Sequence, residues 1–290
     1  MGPNNKRKIQ AARLSIASNT LLIIIKTLAG IASGSVSILS EAAHSGADLL
    51  AAVIAAASVK ISAKPADKNH PYGHGKVENV SGVIEGLLIF GAAAFIIVES
   101  VEKLLYPGPF EVTALPVIVM VVSAAVNYLV SGYLYKVAKE EDSIALEADA
   151  LHLKTDVYTS TGVGLGLILI SLTGVKILDP IIAIAVALLI VKEAWNLCSS
   201  AFNPLLDSSL PEDEEAVILN ILEEHGSGDF QFCHLRTRKS GPNRFIDFHA
   251  KVKPNIPVSK ADEMSKHLQQ EIEQLVPNAH IHINIEAQDK

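Results

Sequence analysis

The sequence predicts an all-α membrane domain of six transmembrane helices, followed by a cytoplasmic α+β domain with an αββαβ order. Three observations carry this. Nearly half of the 290 residues are hydrophobic, and they gather into six long apolar runs between Leu14 and Ser200. From Asp207 onward the chain turns polar and carries much of the acid. Within that tail, apolar residues alternate with polar ones in three short stretches, the period of a strand with one buried face. The expected domains are residues 1–206 in the membrane and 207–290 outside it.

A membrane helix needs about 20 mostly apolar residues. The candidates are roughly residues 12–33, 37–62, 80–103, 112–136, 145–173 and 177–200. The connections between them fall into two sets. One contains Lys6, Arg7 and Lys8 at the N-terminus, Lys64, Lys68 and Lys76 in the 63–79 loop, and Lys136 and Lys139 in the fourth connection. The other contains the turns at Gly34–Ser35, Pro107–Pro109 and Gly174–Lys176. The basic set marks the cytoplasmic side, which puts both termini of this multi-pass membrane protein, expected in a cell membrane, in the cytoplasm. A net charge of −7 with no basic patch argues against nucleic acid as a partner. Cys198 and Cys233 form no disulfide framework and fit a reducing compartment. The basic start followed by a long apolar run reads as a retained first helix, not a cleaved leader.

Ionisable residues inside a bilayer are costly, so each is a candidate for function. The second span carries His44-Ser-Gly-Ala-Asp48, and the fifth carries His152-Leu-Lys-Thr-Asp156. Residues at i and i+4 share one helical face. Each helix can therefore aim one imidazole and one carboxylate at a common point near mid-bilayer. Two such helices supply two nitrogen and two oxygen ligands, a tetrahedral set that zinc accepts. Each pair sits on the middle helix of a three-helix group, the arrangement of an inverted repeat. Asn19, Lys26, Glu41, Glu85, Glu99 and Asn127 are the other intramembrane polar residues. They read as structural, with Glu41 a candidate outer partner of His44 and of Lys26.

The 63–79 loop brings Asp67, His70 and His74 close together in sequence, either as a second metal site or as a polar turn capping the next helix. Beyond Asn203-Pro204, residues 211–225 and 258–275 read as helices. Phe230–Arg238, Arg244–Val252 and Ala279–Ile285 read as strands. The strands hold Cys233, His234, His249, His280 and His282, an unusual density of metal donors, of which His249 and His282 are the preferred ligands.

These segments together resemble the cation diffusion facilitators across nearly the whole chain. The resemblance rests on Leu39-Ser-Glu-Ala-Ala-His-Ser-Gly-Ala-Asp48, His70-Pro-Tyr-Gly-His-Gly-Lys-Val-Glu78, Ala150-Leu-His-Leu-Lys-Thr-Asp156 and Leu235-Arg-Thr-Arg-Lys-Ser-Gly-Pro242. It implies a homodimer, embedded in lipid, that exchanges a cytoplasmic divalent metal ion for a proton by alternating access and carries a metallochaperone-like cytoplasmic C-terminal domain. It places His44, Asp48, His152 and Asp156 at the transport site, Asp67, His70 and His74 at a loop site, and His249 and His282 at a C-terminal site. Zn2+ is then both the transported ion and a regulatory ligand. His44 stands where some members carry Asp; in the family His there goes with zinc and sometimes cobalt, whereas Asp goes with a wider set of metals. Cys233, Asp262 and Asn284 stand where other members carry metal ligands. The competing readings are a carrier mainly for cobalt, ferrous iron, manganese or cadmium, and an intramembrane metalloenzyme. Four protein ligands leave no open coordination position, which disfavours catalysis.

Overall fold

The computed structural model describes residues 3–33, 36–106, 114–173, 175, 177–226 and 228–288. The side chains of Glu41 and His44 lie outside that set, as do the turns at Gly34–Ser35 and Pro107–Pro109 and residues Gly174 and Lys176. The chain forms two compact units, Met1–Phe202 and Asn203–Lys290.

The first unit contains α1 (Pro3–Ser33), α2 (Val36–Ser62), α3 (Lys76–Leu105), α4 (Ala114–Glu140), α5 (Ile144–Thr173) and α6 (Leu178–Phe202). Among the described residues, four stretches are long and apolar enough to cross a membrane: Lys6–Ala32, Lys76–Leu105, Ile118–Glu140 and Pro180–Leu206. Helices α2 and α5 are of matching length, 27 and 30 residues, and hold the His-x-x-x-Asp pairs. The bundle is apolar outside and polar inside. Leu28, Ile31, Phe95, Leu129, Leu188 and Trp195 are exposed, while Asn19, Lys26, Asp48, Glu85, Asn127 and Asp149 are buried. Such an apolar exterior is stable against lipid and not against water.

Close packing here depends on small residues, since lipid removes the hydrophobic drive between helices. Ala51, Ala52, Ala55, Ala93, Ala148, Ala187, Ala194 and Ala201 are fully buried. Helix α3 packs mainly on α6, α1 on α2, and α4 on α5. The α3–α6 seam is closest where Asn79, Gly82 and Gly86 share one face. Asn79 Nδ2 donates to Ala201 O at 3.1 Å. A Cβ on Gly86 would lie 2.3 Å from Cys198 Sγ.

One end of the bundle is tied by Glu78, which is 1% exposed. Its carboxylate accepts from Lys8 Nζ at 3.2 Å, from Ser62 Oγ at 2.6 Å and from Ser143 Oγ. One carboxylate thus joins α1, α2, α3 and the α4–α5 turn.

The second unit has α7 (Glu212–His225), β1 (Phe230–Ser240), β2 (Asn243–Val252), α8 (Val258–Leu275) and β3 (Ala279–Ala287). The sheet order is β1-β2-β3, with β1–β2 antiparallel and β2–β3 parallel across the α8 crossover. Alternation explains the strands: Ile246, Phe248 and Ala250 are buried on the helix side, while Asp247 and His249 face the other way. Ile218, Ile221 and Leu222 of α7 and Leu268 and Ile272 of α8 close that core. Helix α7 starts with Glu212, Asp213, Glu214 and Glu215, which suit the positive end of the helix dipole. Arg244 clamps Glu214 through two bonds of 2.9 Å.

Candidate metal centre

Asp48 lies on the buried face of α2, one turn beyond the backbone position of His44. His152 is buried on α5, with Asp156 one turn further on. The two helices meet where His152 Nε2 and Asp48 Oδ1 stand 3.1 Å apart. Asp156 Oδ2 accepts a hydrogen bond from Asn127 Nδ2 of α4 at 3.1 Å. Both carboxylates are within electrostatic reach of the His152 imidazole. Of the four expected intramembrane residues, Asp48 and His152 are in direct contact and Asp156 stands within electrostatic reach of His152, though the three are not close enough to hold one ion together as they stand.

The surroundings refine the reading of the other polar residues. Asn127 is bonded to one of the expected ligand residues, Asp156. Lys26 Nζ donates to Ser45 Oγ of α2 at 2.7 Å. Glu99 pairs with Lys103 at 2.9 Å on the exposed face of α3. Glu85 accepts from Ser81 Oγ at 3.1 Å. Asp149 was not anticipated. It is fully buried on α5, and His152 and Glu85 both lie within its electrostatic reach. Its position three residues before His152 puts it on the same helical face, a signal present in the sequence.

In the 63–79 loop, Asp67, His70 and His74 come together, with ligand atoms all within 4.8 Å. A turn explains it. The His70 carbonyl accepts from Gly73 N at 3.0 Å, with Pro71 at the second turn position and Gly73 at φ 83°. The chain reverses, and the His70 and His74 rings lie 4.4 Å apart. Asp67 Oδ1 is 3.2 Å from His70 Nδ1, and Oδ2 is 3.5 Å from His74 Nε2. The Asp67 carboxyl is held below the usual carboxylate range, first by the His70 backbone N–H and then by that of Asn69, against some desolvation.

On the sheet, His249 stands opposite Cys233 on β1 and Asn284 on β3, whereas His282 stands opposite Asp247. The two histidines share a face but are one residue pair out of step. His249 Nδ1 is 2.9 Å from Glu286 Oε1, and its ring is 5.2 Å from that of His234. Among the described residues, neither His249 nor His282 belongs to a three-residue group close enough to hold one ion.

The cation efflux transmembrane domain matches residues 12–206, and the cation efflux protein cytoplasmic domain matches residues 210–288. The chain belongs to the cation-efflux family. Similar proteins include Uncharacterized transporter sll1263 of Synechocystis sp., 34% identical over 95% of this chain and 89% of that one. Cation-efflux pump FieF of Escherichia fergusonii is 31% identical over 95% of this chain and 91% of its own length. A solved CzrB structure is 29% identical, covering 28% of this chain and all of that one, with a TM-score of 0.27. Membership makes the chain an integral-membrane transporter of divalent metal cations and not an enzyme. Its cytoplasmic domain is of the type through which cation-efflux proteins dimerise.

Proposed function

We propose that this cation-efflux protein exports zinc from the cytoplasm in exchange for protons. In this reading the ion is held by His44, Asp48, His152 and Asp156 between α2 and α5. The observation that carries it is the 3.1 Å contact of His152 Nε2 with Asp48 Oδ1. With Asp48 ionised, that nitrogen donates its proton to the carboxylate. A metal ion needs the same nitrogen's lone pair and the same carboxylate oxygen, so metal and proton exclude one another there. Asn127 holds Asp156 ready as a further oxygen donor. Alternating exposure of such a site carries metal one way and protons the other. The Lys- and Arg-rich connections support a topology with both termini in the cytoplasm, and the bacterial relatives support the inner membrane as its site.

The loop trio Asp67, His70 and His74 is proposed as a second metal site, and its preformed turn supports that role. On the sheet, His249 with Glu286 forms the better-prepared donor pair, and His282 is a separate donor two positions along. Imidazole donors in the membrane favour zinc over manganese, which prefers oxygen. His44→Asp should therefore broaden the accepted metals toward manganese and cadmium.

Proton release tests the site. Zinc titration by calorimetry in two buffers of different ionisation enthalpy counts the protons expelled. Imidazole titrates near pH ~6.5. At least one proton per zinc should be released near that pH, and Asp48→Ala should lose both the binding and the release. Zinc binding with no proton release would remove the exchange reading.

A further inference from the structure

A further cluster of metal donors, formed wholly within the second unit, shares no residue with the groups described above. His225 closes α7, and His267 and Glu271 are one turn apart on α8. They are separated in sequence by the whole β1–β2 hairpin. They meet because Ile221 and Leu222 of α7 pack into the same core as Leu268 and Ile272 of α8, which brings the rim of one helix to the rim of the other. His225 Nε2 lies 3.3 Å from Glu271 Oε2, and His267 Nε2 lies 3.9 Å from the same oxygen. The two rings are 5.2 Å apart, and all three ligand atoms lie within 4.8 Å of one another.

We propose that His225, His267 and Glu271 form a binding site for a borderline divalent transition metal such as zinc. Three features support it. Two imidazole nitrogens and one carboxylate oxygen are a donor set that zinc takes with a solvent molecule as fourth ligand. Zinc–nitrogen bonds near 2.0–2.1 Å in a tetrahedron put neighbouring ligand atoms about 3.4 Å apart. The His225–Glu271 separation of 3.3 Å already meets that spacing. His267 is mostly exposed, so a small rotamer change can bring its nitrogen in.

The third feature is the orientation of His225. Its Nδ1 is 2.9 Å from the Ile221 carbonyl oxygen. Nδ1 must carry a proton to bond a carbonyl, which leaves Nε2 as the nitrogen that faces Glu271 and that a metal can take. This is the outer-partner arrangement that fixes tautomer and aim in metal-binding histidines. An ion pair of charged His225 with Glu271 uses the same atoms, and metal displaces only the Nε2 proton. Bound metal links the last turn of α7 to the middle of α8. The site thus registers metal concentration in the compartment that bathes this unit.

The full-length protein in detergent provides the test, with Zn2+ as the probe. Carbethoxylation of histidines, followed by mass spectrometry, reads each imidazole separately. Zn2+ should slow modification of His267 by about tenfold or more in the wild type. The protection should persist when Asp48→Asn, His152→Gln and Asp156→Asn remove the membrane site, so the proposal survives if the transport reading fails. Glu271→Gln and His225→Gln should each reduce it, and Glu271→His should retain it. The double variant His225→Gln/His267→Gln should bind one fewer zinc per chain at equilibrium. Equal modification of His267 with and without Zn2+, or protection unchanged in both Glu271→Gln and His225→Gln, overturns the site. The wild-type comparison decides even if a variant fails to fold.

Discussion

Asn127→Ala isolates the positioning of Asp156 from its role as ligand. In the wild type, the buried Asn127 amide donates to Asp156 Oδ2 at 3.1 Å. A hydrogen bond to an ionised group contributes about 1.5–3 kcal/mol. At about 1.4 kcal/mol per tenfold change, full loss of that bond in the metal-bound state corresponds to roughly 10- to 150-fold weaker binding. Removing an outer partner of a metal ligand commonly costs about 10- to 100-fold. The expected result is a zinc Kd raised about tenfold to hundredfold, measured by competition with a chromogenic chelator at pH 7.5. The elution volume in gel filtration should not change, because a small cavity beside Asn127 leaves the packing of α4 on α5 largely intact. An affinity within twofold of wild type would show that Asp156 is held by something else or is not a ligand.

Three further perturbations follow from the packing. Glu78→Ala leaves the buried Lys8 ammonium unpaired, and breaking a buried pair in this way costs about 3–5 kcal/mol. Thermal unfolding should show a large loss for the single variant, and Lys8→Met/Glu78→Leu should recover much of it. Gly86→Ala drives a methyl into Cys198 Sγ, an overpacking cost of about 1–3 kcal/mol. Cys198→Ala in the same chain should relieve it, and equal stability of the single and double variants would contradict the close α3–α6 approach. The 63–79 turn should resist acid, because Asp67 has its carboxyl depressed in the folded state by backbone N–H donors. Its contribution is complete above the ordinary carboxylate range and is lost as pH falls through the depressed value. Amide protection at His70 and Gly73, corrected for intrinsic exchange, should therefore persist through the ordinary carboxylate range and fall only below it, and Asp67→Asn should remove that pH dependence.

How far the sequence reveals this molecule depends on how local each feature is. The αββαβ unit is legible because strand alternation and helix periodicity are short-range signals. The expected strand Arg244–Val252 and the observed Asn243–Val252 differ by one residue. Asp67, His70 and His74 are legible as a cluster because eight consecutive residues contain them, and one turn gathers them. Asp48 and His152 are 104 positions apart, yet the repeated His-x-x-x-Asp spacing marks both. Features that depend on register or on tertiary packing are not legible in this way. Strand periodicity places His249 and His282 on one face, but only the parallel pairing shows that His282 faces Asp247 and not His249. His225 and His267 form no motif, and only the seam between α7 and α8 brings them together. Asp149 fell between these cases, visible by spacing but obscured by the stronger pattern around it.

Zinc flux in sealed proteoliposomes under an imposed pH gradient tests the central claim most directly. Vesicles carrying the wild type should accumulate zinc against its gradient when the lumen is acidic, with protons leaving as zinc enters. Asp48→Ala and Asp156→Ala, reconstituted at equal density, should reduce both fluxes to the protein-free background. Zinc movement that ignores the pH gradient, or normal flux through either well-folded variant, would contradict metal–proton exchange at the Asp48–His152 contact.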